Sequence, residues 1–291
     1  MYLHRTEIER DTMARTHIVT DSACDLPVGV TDELGVTVVP LTIRFGNEEF
    51  VDGAELSTEA FYEKMADSDV LPSTAAPAPG AFEEAFRKAA ADGGPVVCIN
   101  LSSKLSATMQ SAENAMRAVG GEIEGRVVDS RSITAGLGAQ VQAAAKAAAD
   151  GASAEEVVSL VEDLRIRTHV VGALDTLDNL KKGGRIGGAR AMLGTMLSIK
   201  PIVDISSGEV EEAGKQRTRR KALAWLRDKA LSLPQLDHLW ICSGMAPDLG
   251  EFVDMLAPRY TSENLTLTTI GPVIGAHAGP RVIGLAWQEP V

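Results

Sequence analysis

The sequence has few aromatic residues: they make up 4% of its 291 positions, although hydrophobic residues as a whole reach 45%. A cavity inside this protein would therefore be lined mainly by aliphatic side chains. A chain of this length can bury a large core and still leave apolar interior for a ligand.

The sequence also lacks any run of 18 apolar residues, so we expect no transmembrane helix and no integral membrane association. The N-terminal residues MYLHRTEIERD carry charges throughout and lack the apolar core of a signal peptide. We therefore expect a cytoplasmic protein. Residues 1–12 are expected to be a disordered extension, with Met13 as the alternative start of the chain.

Cysteines are few: Cys24, Cys98 and Cys242 are far apart in the sequence and form no CxxC pair. This argues against a disulfide framework and a zinc site, and favours small buried thiols in a reducing compartment. The net charge of −12 disfavours nucleic-acid binding and an anionic membrane surface, because both call for a basic face. A local basic patch remains compatible with this net negative charge.

The usual catalytic signatures are absent: the sequence contains no GxxxxGK[ST], GxGxxG, HExxH or GxSxG motif. The glycine-rich segment 183–188 does not directly follow a predicted strand and has the wrong spacing for a dinucleotide site. We therefore predict no catalytic residue, no metal and no cofactor.

Predicted strands and helices alternate through the first half, which indicates an α/β fold with a largely parallel sheet. We place an N-terminal α/β domain at residues 13–165 and a C-terminal α/β domain at residues 166–291. Among the predicted elements are strands over residues 16–20, 36–43, 95–101 and 168–174, helices over residues 80–91, 105–118 and 133–149, a capping box at Ser153, and a hairpin around Ser206-Ser207-Gly208.

Three segments could form a ligand site. His277 stands in a predicted loop, residues 271–280, with three glycines and two prolines around it, which brings backbone close to whatever the imidazole faces. Thr74 precedes a predicted helix, and Ser102-Ser103 lie at a strand-to-helix junction, where open α/β sheets bind ligands. Taken alone, the segment of Thr74 and the segment of Ser102-Ser103 are each explained equally well by helix capping.

Basic residues cluster despite the acidic total. Lys181, Lys182, Arg185 and Arg190 lie in one segment, and five more basic residues lie within residues 215–221. One such cluster on a helix is usually a solvated face. Two in a chain of this charge indicate a patch for a phosphate or an acidic partner.

Taken together, these segments resemble the DegV family of bacterial proteins, which includes the FakB fatty-acid-binding subunits of fatty acid kinase. The match runs in order from residue 17 across nearly the whole chain. The segments that carry it are HIVTDSACDLP (17–27), PSTAAPAPGAF (72–82), INLSSKLSATMQSA (99–112), VDSRSITAGLG (128–138), LDTLDNLKKGGRI (174–186), LSIKPIV (197–203), RTRRKAL (217–223) and residues 271–280. Ala75 and Ala278 depart from the family, which commonly has hydroxyl-bearing residues there.

The resemblance implies a DegV-like fold with two α/β domains and a lipid site at their interface. It implies that Thr74, Ser102, Ser103 and His277 surround the carboxyl group of a long-chain fatty acid, with Arg185 at the mouth. Arg219 and Arg220 correspond to arginines tied to a kinase partner. The carrier itself is not an enzyme in that system, because a separate kinase subunit phosphorylates the bound carboxyl group to an acyl phosphate for phospholipid synthesis.

Two other functions remain open from the residues alone. One is a stand-alone hydrolase or phosphotransferase that uses His277 and Ser103, although no third member of a triad is identifiable. The other is a regulatory RNA-binding protein that works through residues 217–221, although no aromatic residues interleave with the basic ones there.

Overall fold

The computed structural model describes residues 15–27, 29–193, 199–257 and 259–290. The predicted extension at residues 1–12, the alternative start at Met13 and the beginning of the segment at 197–203 lie outside this part of the chain. In the first half the elements are β1 (His17–Asp21), a 3₁₀ turn (Ser22–Cys24), α1 (Val30–Glu33), β2 (Thr37–Val39), β3 (Thr42–Phe45), β4 (Glu48–Val51), α2 (Thr58–Asp67), β5 (Ser73–Ala75), α3 (Pro79–Ala89), β6 (Val96–Asn100), α4 (Thr108–Val119), β7 (Gly125–Asp129), α5 (Thr134–Ala149) and α6 (Ala154–Arg167).

The second half is built mainly from antiparallel strands. Its elements are β8 (Thr168–Ala173), α7 (Asp178–Lys182), a 3₁₀ helix (Gly187–Met192), β9 (Lys200–Asp204), β10 (Glu211–Gln216), α8 (Arg219–Ser232), β11 (Leu239–Ser243), α9 (Leu249–Leu256), β12 (Leu265–Thr269), α10 (Pro272–Ala278) and β13 (Ile283–Gln288).

The first sheet has the order β2-β1-β6-β7, and its strands pair in parallel. Every residue of β6 is buried, because helices cover both faces of the sheet. Val96 and Cys98 pack under α3 and α4, whereas Val97 and Ile99 point the other way, toward α5 and α6. The predicted parallel sheet in the first half is thus present.

The second sheet has the order β10-β9-β8-β13-β11-β12 and is mixed. Its two faces pack differently. Val171, Ile202 and Leu285 pack against α8 and α9, whereas Val170 and Val203 belong to the same core as the buried helix α5. Helix α5 therefore lies between the two sheets, and the face of the second sheet that it contacts is turned toward the first half of the chain.

A third, antiparallel sheet has the order β4-β3-β5. The predicted strand over residues 36–43 is wrong in its extent, because the chain leaves the first sheet at Pro40 and enters this small sheet at β3. Where the chain passes from the first sheet to the third, the Leu41 N–H donates to Ser22 Oγ, 3.1 Å away. Strand β5 pairs with β3, with Thr74 opposite Ile43, and this pairing places the predicted site residue on a strand.

Other predicted elements have mixed outcomes. The capping box at Ser153 and the hairpin of β9 and β10 are confirmed. The predicted helix over residues 105–118 begins only at Thr108. The predicted loop around His277 is wrong, because residues 272–278 form helix α10, with Pro272 in its first turn. The boundary near residue 165 lies at the end of α6, and the division into two domains stays a prediction.

Three buried aspartates lie close together where β1, the following turn and β4 end. Burial raises the pKa of Asp21 and of Asp52 to about 6, and it raises the pKa of Asp25 well above its usual range. Repulsion by the Asp52 carboxylate raises the pKa of the other two further. Ionising these groups in the folded protein therefore costs free energy.

We expect the Asp52→Asn variant to be more stable than the wild type above pH 7 and equally stable below pH 4. The folded state holds the Asp52 proton more tightly than the unfolded state, so its contribution to stability is full below pH about 4. The full contribution is about 3 kcal/mol, and it is lost as the pH rises through about 6. An amide can still pair with its neighbours, the Ser22 hydroxyl and the Gly53 N–H.

Urea unfolding of both proteins between pH 4 and pH 8 measures this difference. Asp69→Asn, at an exposed position, is the matched control and should show no pH-dependent gain. A constant difference between Asp52→Asn and the wild type at every pH would contradict the assignment of a buried, hard-to-ionise carboxyl.

Candidate functional site

A narrow slot lies between the inward face of the second sheet and the strand ends of the first half. Of the 24 residues that line it, 16 are Ala, Val, Leu or Ile. The aliphatic walls expected from the scarcity of aromatic residues are present. The lining residues are Leu41, Thr74, Leu101, Leu105, Ser106, Ile133, Thr134, Val170, Val171, Gly172, Leu174, Leu180, Arg185, Val203, Ile205, Val210, Cys242, Ile270, Val273, Ile274, His277, Ala278, Val282 and Gly284.

One end of the slot is closed by a hydroxyl and an imidazole. Thr74 Oγ1 lies 2.9 Å from His277 Nε2, and the two side chains come from β5 and α10, 203 positions apart in the chain. Helix α10 is held in place by Asn179, whose Nδ2 donates to the Ala276 carbonyl. The structure therefore brings together two of the predicted site residues.

His277 is uncharged at neutral pH. Burial, together with the nearby Arg185 guanidinium, lowers its pKa to about 4. Its Nδ1 is buried and has no hydrogen-bond partner among the residues that the structure describes. Gly183 packs against the ring so closely that a Cβ at this position would lie 2.5 Å from Nδ1, so a larger residue would displace the imidazole. A neutral ring with a free nitrogen can donate to or accept from a ligand at the end of the slot.

Arg185 lies beside this pair and also lines the slot. Its Nε donates to the Leu105 carbonyl at 3.1 Å, and its Nη1 donates to the Gly183 carbonyl at 2.7 Å. These two bonds hold a partly buried guanidinium at the polar end of an otherwise apolar slot. The three residues Thr74, His277 and Arg185 are called the polar cap below.

The two predicted serines lie outside the slot. Ser102 is buried, and its Oγ donates to the Gly208 carbonyl at 2.6 Å. Ser103 is exposed, and its Oγ donates to Asp129 Oδ2 at 2.6 Å. Both serines serve the turn after β6, while the next hydroxyl in this segment, Ser106, lines the slot. Ser103 and His277 thus bond to different partners and form no nucleophile–base pair.

The two predicted docking arginines differ in exposure. Arg219 is largely buried and forms a two-pronged ion pair with Asp248, with both N···O distances at 2.9 Å. Arg220, one position along α8, is exposed. Only Arg220 of the two offers its guanidinium to solvent, so the role of Arg219 in docking would be to hold the start of α8 in place.

Sequence reasoning did not assign three polar residues that line the slot: Ser106, Thr134 and Cys242. Ser106 belongs to the segment that was singled out, but the sequence does not show which hydroxyl of that segment faces the slot. Thr134 lies in the segment VDSRSITAGLG (128–138), in which no single hydroxyl was singled out. Cys242 was predicted to be a small buried thiol, and it is buried and free.

Within the described ranges, no helix is long and apolar enough to cross a membrane. The same ranges contain no cluster of His, Cys, Asp and Glu side chains placed to bind a metal ion.

The fold and the slot define a class of α/β proteins with several sheets and an apolar interior channel that is polar at one end. This chain belongs to the DegV family: the family model described as "Uncharacterised protein, DegV family" matches residues 15–289. The resemblance drawn from the motifs is confirmed.

Curated relatives match along nearly their whole length. A DegV domain-containing protein of Halalkalibacterium halodurans is 34% identical, over 94% of this chain and 99% of the relative. Another, from Deinococcus radiodurans, is 35% identical, over 93% of this chain and 97% of the relative.

Solved structures confirm the α/β DegV fold. A DegV family protein from Thermus thermophilus, described as binding fatty acid, superposes with a TM-score of 0.86 at 32% identity and covers 95% of this chain and 100% of its own. A stearic-acid-binding protein from Eubacterium ventriosum has a TM-score of 0.83 at 27% identity, with 93% and 97% covered. DegV from Bacillus subtilis, described as a fatty acid binding protein, has a TM-score of 0.84 at 26% identity, with 95% and 99% covered.

Proposed function

We propose that this protein binds one long-chain fatty acid and presents its carboxyl group to a separate kinase subunit, which phosphorylates it to an acyl phosphate for phospholipid synthesis. The observation that carries the proposal is the aliphatic slot with one polar cap. The fatty acids described for the solved relatives support it.

The walls of the slot suit an alkyl chain. Burying methylene groups is worth about 0.8 kcal/mol each, so fifteen of them offer about 12 kcal/mol before the costs of binding. The slot is narrow, and its walls are almost entirely apolar. A thin, flexible chain of methylenes meets both conditions.

The polar cap suits a carboxylate. A carboxylate resists burial unless hydrogen bonds replace its water. The Thr74 hydroxyl and the neutral His277 ring have two donor hydrogens between them, one of which forms their mutual bond and the other of which is available to a ligand. The Arg185 guanidinium adds the only full positive charge among the described residues that line the slot. A carboxyl group held there would be paired by donors while its tail extends between the sheets.

Native mass spectrometry of the purified protein, followed by organic extraction, tests the binding half of the proposal. The expected result is a mass increase that corresponds to a single fatty acid, which the extract then identifies. A protein that carries no lipid and takes up neither palmitic nor stearic acid would overturn the proposal.

The kinase half needs the partner subunit, ATP and the lipid-loaded protein, with acyl phosphate as the readout. In this step the terminal phosphoryl group of ATP moves to the carboxylate, and Arg185 is placed to stabilise the negative charge on the transferred group. We expect Arg185→Ala to slow acyl-phosphate formation about a hundredfold, the lower end of the range seen when one charge-stabilising donor is removed. Arg190→Ala, at an exposed position, is the control. If Arg185→Ala leaves both the rate and the kinase affinity unchanged, this role is wrong.

We expect Thr74→Val to weaken fatty acid binding about fivefold, because it removes one donor of about 1 kcal/mol while it keeps the β-branched shape. Displacement of a fluorescent fatty acid measures the change. Ser103→Ala, which removes a hydroxyl bonded to Asp129, should bind within twofold of the wild type. If Ser103→Ala weakened binding more than Thr74→Val, the carboxyl group would lie at the turn after β6 and not at the polar cap.

A further inference from the structure

Thr134 is an unusual residue on the wall of the slot. It is 2% exposed, and its backbone φ is +44°, a left-handed conformation that β-branched residues rarely adopt. Its Oγ1 is buried and forms no hydrogen bond of regular geometry with any residue that the structure describes. A buried hydroxyl without a partner costs free energy, and backbone strain of this kind is typical of functional positions.

Two further polar groups lie against this hydroxyl. The Asp25 carboxyl is close enough for Thr134 to lower its pKa, yet Asp25 Oδ2 is also buried without a partner in the described structure. The Cys242 thiol also lies close to Thr134 and lines the slot. Burial raises the pKa of Asp25 well above its usual range, so a negative charge in this corner costs free energy.

This corner is separate from the polar cap. The Asp25 carboxyl accepts a hydrogen bond from the Gly271 N–H, at the start of α10, whereas His277 lies near the other end of that helix. His277 lies six positions after Gly271, which corresponds to roughly 9 Å along the helix axis. A chain whose carboxyl group lies at the cap would therefore pass Thr134 at some distance from that group.

We propose that Thr134, backed by Asp25, forms a second hydrogen-bonding position in the slot, which takes a hydroxyl group carried part-way along the alkyl chain of the bound acid. The ligand class is thus a hydroxylated long-chain fatty acid. This inference rests on the proposed function. A plain alkyl chain offers the Thr134 hydroxyl no partner on the slot side, whereas a chain hydroxyl both donates and accepts.

The test compares three ligands: stearic acid, stearic acid with a hydroxyl at mid-chain, and stearic acid with a hydroxyl next to the carboxyl group. We expect the wild-type protein to bind the mid-chain isomer about five- to tenfold more tightly than stearic acid, and to show no such preference for the other isomer. In Thr134→Val, which keeps the side-chain shape, the preference should disappear. Thr134→Ser, which keeps the hydroxyl, should retain it.

Each outcome decides the question. If the wild type prefers stearic acid to both hydroxylated isomers, or if Thr134→Val keeps the preference, the proposal is overturned, and a buried water becomes the partner of Thr134. If Thr134→Val does not fold, the wild-type preference and the Thr134→Ser result still decide it. Binding of none of the three acids would instead be a failure of the proposed function.

Discussion

Replacing Gly172 with isoleucine (Gly172→Ile) is expected to lower the affinity for a long-chain fatty acid at least about hundredfold without unfolding the protein. Gly172 lies in β8 between Val170 and Leu174, and all three residues line the slot. A Cβ at Gly172 meets its nearest neighbour at 3.7 Å, an ordinary contact, so the backbone accepts a side chain. The remaining atoms of an isoleucine would occupy the slot and displace several methylenes, each worth about 0.8 kcal/mol.

Stability separates this result from misfolding. Isoleucine is favoured in strands and would fill empty apolar space, so the midpoint of urea unfolding should stay the same or rise. Gly172→Ala is the matched control, because one methyl group narrows the slot without closing it, and we expect a loss of affinity below about tenfold. A folded Gly172→Ile variant that binds stearic acid within threefold of the wild type would show that the acid lies elsewhere.

The alternating strands and helices of the first half were predictable because long, periodic segments and short apolar runs carry a strong local signal. The three-stranded sheet was not, since nothing in residues 36–43 separates one strand from two. Their apolar pattern runs across Pro40, and the break depends on a bond from Leu41 to Ser22 that only the folded chain can form. Strand β5 was not predicted for the same reason, because its partner β3 is distant in the sequence.

The candidate site, like the fold, was predictable only in part. Thr74, His277 and Arg185 could be chosen from the motif resemblance, and the structure gathers them at one end of the slot. A run of hydroxyls, by contrast, does not show which member faces the ligand. Ser102 donates to the Gly208 carbonyl in the β9–β10 hairpin, and Ser103 donates to Asp129 at the end of β7. Ser106, which precedes the start of α4 at Thr108, lines the slot.

Asp21 is the residue whose removal should destabilise the fold most among the polar positions described above. Its carboxyl is completely buried and accepts three hydrogen bonds: from the Ala23 N–H at 3.0 Å, from Asn100 Nδ2 at 3.1 Å and from the Leu101 N–H at 2.8 Å. These bonds join the ends of β1 and β6, and Leu101 lines the slot directly beyond β6. The same carboxyl therefore supports both the parallel sheet and one wall of the site.

We expect Asp21→Ala to lose about 3 kcal/mol of unfolding free energy at neutral pH. Three buried donors lose their acceptor, at about 1–3 kcal/mol each, and relief from the cost of burying a carboxylate with a pKa of about 6 offsets part of that loss. Thr20→Val, one position earlier on β1, removes a single bond from Thr20 Oγ1 to the Ile99 carbonyl and should cost only about 1 kcal/mol. Urea unfolding measures both variants. Equal losses in the two would mean that the three donors find water or other partners, and that the Asp21 carboxyl does not hold the ends of β1 and β6 together.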